Sequence, residues 1–163
     1  MEKISLKDNN GISKNGIKII ICSELNNSIN KIWDKILNIE TLIKICKPMA
    51  TFKITTKEKF IKWKLNTEYV FKLFIYGFVP FGTHKIILET IDNEENIIKS
   101  KEHNNVVKIW NHKITMEKEG ELITNYTDEV EIYAGIFTLI IAIWGIIFYK
   151  HRQKKWKAIA KTL

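Results

Sequence analysis

His112 and Asp128 are the residues in this chain best suited to proton chemistry, because a carboxylate beside a histidine orients the ring and raises its basicity. The sequence offers no obvious nucleophile beside them. The two cysteines, Cys22 and Cys46, stand at the end of a β-branched run and just before Lys47-Pro48, positions that suit packing. The four histidines, His84, His103, His112 and His151, show neither HExxH nor HxH spacing, and there is no Gly-rich phosphate loop. A metal set from His84, His112 and Asp128 is allowed by geometry but has no motif behind it. The reading therefore assigns no metal and no cofactor, and leaves His112 with Asp128 as an acid–base pair at most.

The same two residues belong to a larger patch. In "VVKIWNHKITM", Lys108, Trp110, His112, Ile114 and Met116 share one face of a strand, and Asn111, Lys113 and Thr115 share the other. In "LITNYTDEVEI", Leu122, Thr124, Tyr126, Asp128, Val130 and Ile132 oppose Asn125, Glu129 and Glu131. The more polar faces suit solvent, so the even-numbered faces are read as inward. A three-residue turn at Lys118–Gly120, with Gly120 in the left-handed position, pairs Glu117 with Glu121. His112 then lies opposite Tyr126, and Trp110 opposite Asp128. Upstream, His84, Ile86 and Leu88 share a face against Lys85 and Glu89, and Tyr69, Phe71 and Leu73 oppose Glu68 and Lys72.

The candidate ligand-binding residues are thus Tyr69, Phe71, His84, Ile86, Trp110, His112, Tyr126 and Asp128. An apolar, aromatic pocket with a few polar groups suits a small hydrophobic molecule carrying one or two polar atoms. The same composition also describes a filled core in which His112, Tyr126 and Asp128 satisfy one another.

The elements that must hold these residues follow from periodicity. "GIKIIICS" (Gly16–Ser23) reads as a strand. Ile29, Ile32, Trp33 and Ile36 recur at helical spacing, and "IETLIKIC" (Ile39–Cys46) is a second short helix stopped by Pro48. Five strand-like runs follow, from "TEYVFKLFIYG" to "LITNYTDEVEIY", with "ATFKITT" and "KFIKWKL" as weaker candidates before them. The chain closes on a long helical pattern, roughly Gly135–Lys161. The layout is α+β: a curved antiparallel sheet of about six or seven strands, two short helices after the first strand, and a long C-terminal helix. Residues 1–15 read as an N-terminal extension and 16–163 as a single domain.

Charge and hydropathy raise one question of topology. Ile132–Tyr149 is uncharged for eighteen residues, about long enough to cross a membrane, or to be a helix buried on all sides. A span fits poorly. One orientation exports 131 residues behind the polar start "MEKISLKDNN", which is no secretory signal. The other carries six Lys or Arg, Lys150 to Lys161, across the bilayer. The net charge of +8 and this basic tail suit a solvated helix end or peripheral contact with anionic membrane. No recognition motif points to nucleic acid. Two cysteines without close spacing suit a reduced, cytoplasmic setting.

The order of elements, with the stretches "PFGTHKI", "KIWNHKI", "YTDEVEIYAG" and "FYKHRQKKW", resembles the helix-grip fold of the START and polyketide-cyclase superfamily, often called SRPBCC. The resemblance covers roughly Gly16 to Lys161. It implies a sheet gripping the C-terminal helix, with a cavity between them for a lipid, polyketide or similar hydrophobic molecule. It carries no shared catalytic motif. Ligand binding without chemistry is the leading expectation. A cyclase or dehydratase acting on a polyketide-like substrate, with His112 as acid or base, is the alternative, and a protein anchored by residues 132–149 is a second one.

Overall fold

The computed structural model describes residues 1–8, 10–55 and 62–163. In chain order the elements are β1 (Glu2–Lys7), β2 (Ser13–Leu25), α1 (Ile29–Ile36), α2 (Ile39–Cys46), β3 (Ala50–Ile54), β4 (Glu68–Ile75), β5 (Val79–Asp92), β6 (Ile97–His103), β7 (Ile109–Lys118), β8 (Thr124–Tyr133), a short 3₁₀ turn (Gly135–Phe137) and α3 (Thr138–Ala160). All eight strands form one antiparallel sheet in the order β1-β2-β8-β7-β6-β5-β4-β3. Helices α1 and α2 carry the chain from β2 to the opposite edge at β3. Register shifts at Lys72/Phe74 and at Leu88/Thr90 bend the β4–β5–β6 part of the sheet.

The fold is the expected helix grip, with an added strand. Glu2–Lys7, within the segment read as an extension, pairs with Ser13–Lys18 as an edge strand. Its turn is built locally: the Asp8 carboxylate accepts the backbone N–H groups of Asn10 and Ile12 at 2.9 Å each. The candidate "ATFKITT" supplies β3, whereas "KFIKWKL" falls partly outside the described residues.

Two expectations change. The β7–β8 hairpin closes with Lys118 opposite Thr124, not with Glu117 opposite Glu121. Gly120 is not in the left-handed conformation, and the N–H groups of Glu119 and Gly120 both reach the Ile123 carbonyl across a longer loop. His112 therefore faces Val130, and Trp110 faces Ile132. The slip leaves parity intact, so the even-numbered residues from Trp110 to Met116 and from Thr124 to Ile132 still point inward, whereas Lys108 and Leu122 lie outside the strands and are exposed.

The second change concerns α3. Ala142, Gly145, Tyr149, Gln153 and Trp156 are buried, but Leu139, Ile140, Ile143 and Ile147 are exposed, as is Ile136 in the turn before the helix. The sheet covers one side of this helix and α2 touches another, so a helix apolar on most faces keeps an apolar outer face. The close approach to the sheet is made at Gly145, where an added Cβ would stand 3.2 Å from Ile19 Cδ1 and 3.4 Å from Ile132 Cδ1. By length and composition α3 suits a membrane span. Yet Gln153 on it donates to the Ile21 carbonyl at 2.6 Å and to Asp128 Oδ2 at 3.1 Å, bonds that a spanning helix would lose.

Candidate ligand cavity

A cavity of about 250 Å³ lies between α3, α2 and the inner face of β3–β7. Its walls are apolar: Leu42 from α2, Phe52 and Leu73 from β3 and β4, Ile86 from β5, Trp110 from β7, and Ile140, Trp144 and Phe148 from α3. Strand alternation brings the inward residues here, and the helical three-and-four spacing brings Trp144 and Phe148 over them. Cys46 also lines it, and burial pushes its thiol up to about 12, so it stays protonated and packs as an apolar group.

The polar groups of the cavity are His84, Glu102, Asn104 and Arg152. Asn104 Oδ1 accepts the backbone N–H groups of Val106 and Val107 at 2.8 and 2.7 Å, which fixes the amide. Its Nδ2 is thereby turned toward His84 Nδ1, 3.4 Å away. This selects the tautomer in which His84 Nε2–H donates to Glu102 Oε2, at 2.9 Å. Ser100 Oγ donates to the other oxygen, Oε1, at 2.8 Å. Burial pushes the Glu102 carboxyl up, but the bond from His84, the neighbouring histidines and Ser100 outweigh it and hold the carboxyl below its ordinary value.

A second network lies behind this wall. Asp128 is fully buried. Its Oδ1 accepts from His112 Nε2 at 2.8 Å and from Tyr126 Oη at 3.1 Å, and its Oδ2 accepts from Gln153. Burial raises the Asp128 carboxyl, and the Arg152 charge with the His112 and Gln153 bonds brings it below its ordinary value. Burial drives the Tyr126 and Tyr149 hydroxyls well above theirs. Tyr149 accepts from Trp110 Nε1 at 3.1 Å and tilts against His112 at 5.1 Å between centroids.

Of the eight residues expected to bind ligand, His84, Ile86 and Trp110 line the cavity. Tyr69, Phe71, His112, Tyr126 and Asp128 are buried beyond it. Phe71 packs edge-on to Phe52 at 5.6 Å, and Tyr69 packs edge-on to Trp63 while its hydroxyl accepts from Lys64 N at 2.8 Å. His112, Tyr126 and Asp128 satisfy one another, as in the filled-core alternative. Sequence reading missed Glu102, Asn104, Trp144 and Arg152. Glu102 was legible, since it shares strand parity with Ile98 and Ser100. Arg152 was counted with the basic tail, yet the structure turns it inward with 4% exposure. Its signal was helical spacing, three residues after Tyr149 and seven after Gly145.

The sheet wrapped on α3, with a cavity between them, is a helix-grip fold of the kind seen in START proteins. Solved structures share the fold. The Zhui aromatase/cyclase from Streptomyces sp. R1128 superposes with a TM-score of 0.70 at 7% identity, over 90% of this chain and 94% of that one. A START superfamily protein from Mycobacterium smegmatis gives 0.66 at 11% identity, over 89% and 97%. Protein CV1439 from Chromobacterium violaceum gives 0.66 at 12%, over 88% and 96%. At these identities the likeness is one of fold. Residues 23–159 match the family described as Domain of unknown function (DUF8410), and the chain belongs to it. No curated protein matches the chain.

Proposed function

We propose that this protein binds a small hydrophobic molecule non-covalently between its sheet and α3. The observation that carries the reading is an apolar, aromatic cavity whose polar groups are gathered in His84, Glu102, Asn104 and Arg152. The ligand's body would lie against Phe52, Ile86, Trp110 and Trp144, with His84 and its neighbours orienting the polar end. A volume of about 250 Å³ limits the ligand to a small one. An acid–base role for His112 finds less support, because its Nε2 is bonded to Asp128 and its Nδ1 lies 3.8 Å from Glu102 Oε1. Native mass spectrometry of protein purified without detergent tests the binding reading. Extra mass that is lost on denaturation is expected. An empty protein that also fails to take up a neutral naphthylamine dye would overturn it.

The reading extends to a membrane surface as the source of the ligand, with the protein itself in the cytoplasm. An outer face starts at Ile136 in the turn before α3, runs through Leu139, Ile140, Ile143 and Ile147, and continues through Lys150, Lys154, Lys157 and, just past the helix end, Lys161, all exposed. An apolar half followed by a cationic half matches acyl chains beside anionic headgroups. Phe78, 76% exposed, stands in the β4–β5 turn between Ile75 and Phe81, which line the cavity as Ile140 does. Both exposed patches thus border the cavity. Sedimentation with vesicles containing phosphatidylserine should carry the protein down at low salt, and Ile143→Glu with Ile147→Glu should abolish this. Protein left in the supernatant at low salt would eliminate the contact.

A further inference from the structure

Arg152 is a buried guanidinium whose donors are left without hydrogen bonds. Its five N–H groups make no hydrogen bond to any described residue, and its Nε is wholly buried without a partner. Among the described residues Asp128 is the one carboxylate within 4 Å, with Oδ1 at 3.9 Å from Nη2, and that oxygen already accepts from His112 and Tyr126. Glu102, the other carboxylate of the site, is taken up by His84 and Ser100. The guanidinium is held in place all the same. It lies 4.7 Å from the centroid of the Tyr149 ring and 5.8 Å from that of Phe148, and it lines the cavity.

Such a group is costly to bury without acceptors, and a planar fork of donors is the geometry that receives a carboxylate through two parallel bonds. A neutral carbonyl would engage fewer of these donors and would leave the buried charge facing only the shared Asp128. Building on the cavity reading above, we propose that the ligand is an amphiphilic acid whose carboxylate is received by Arg152. The apolar body then runs from Arg152 past Phe148 and Trp144 between α3 and the sheet. This seat lies on the face of α3 opposite the cationic stripe, so it serves the ligand rather than the membrane.

Trp110 and Trp144 line the cavity, which makes intrinsic fluorescence a direct readout. Decanoate and decanol are titrated into the full chain at pH 7, into wild type and into Arg152→Gln. We expect wild type to bind decanoate at least tenfold more tightly than decanol. Arg152→Gln should lose roughly 10- to 100-fold in decanoate affinity, the scale of charge-assisted hydrogen bonds, and leave decanol unchanged. Arg152→Lys, which keeps the charge but not the fork, should fall between the two. The comparison in wild type holds even if the Gln variant fails to fold. Equal binding of acid and alcohol would overturn the acid seat and leave the cavity reading standing. Binding of neither would remove both.

Discussion

Asp128 shows how a buried carboxylate is made tolerable: three donors from three elements converge on it, and none of its surface reaches solvent. Replacing it leaves His112, Tyr126 and Gln153 without their acceptor and Arg152 without the carboxylate beside it. Asp128→Ala should therefore cost about 3–5 kcal/mol in urea or thermal unfolding, the scale of a broken buried pair. The pH dependence follows from Asp128 and Glu102 together, both held below their ordinary values of 3.8 and 4.5. A carboxyl depressed in the folded state adds stability above its unfolded value and loses it as pH falls through the folded one. Melting temperature should be level above about pH 5 and drop below about pH 4, more shallowly in Asp128→Asn. An unchanged acid limb in that variant would show that the network does not control it.

At the scale of elements, α3 combines three roles along one axis. Its inner face fits the sheet at Gly145, its middle lines the cavity with Trp144 and Phe148, and its outer face changes from apolar to cationic. Gly145 is there for proximity, because its φ is ordinary. Gly145→Ala trades a tight contact with the flexible end of Ile19 against about 1 kcal/mol of helix propensity and should be near neutral. Gly145→Leu has no such room. It should destabilise by about 1–3 kcal/mol in chemical denaturation and alter the cavity. Equal stability of wild type and the Leu variant would mean that α3 is free to lift from β2 and β8.

On the scale of the whole molecule, the sheet order puts β2 beside β8, so the hairpin formed by the first two strands closes onto the strand leading into α3. That closure sets the inner network, in which Gln153 bridges Ile21 of β2 and Asp128 of β8. The net charge of +8 is concentrated partly on the outer end of α3, away from the cavity. Vesicle binding should therefore weaken steeply between 0.1 and 1 M salt, as the screening length falls from about 10 Å to about 3 Å. Cavity binding, governed mainly by apolar contact, should change little.

Much of this was legible in the chain itself. Alternation in "VVKIWNHKITM" and "LITNYTDEVEI" determined which side chains face inward, and it survived a hairpin slip because the slip preserved parity. Helical spacing and Pro48 determined α1 and α2, and the long apolar run determined α3. These patterns are local, set by the two-residue period of strands and the 3.6-residue period of helices. Tertiary structure alone decided which inward residues meet a cavity and which meet each other. Tyr69 and Phe71 point inward as read, yet they close on Trp63 and Phe52 before reaching the cavity. Arg152 looked like one more cation in a basic tail, because its composition matches its neighbours. Only the packing of α3 against a curved sheet determines that this one of the six points inward, since burial depends on where the other elements lie and not on the residue's own stretch of sequence.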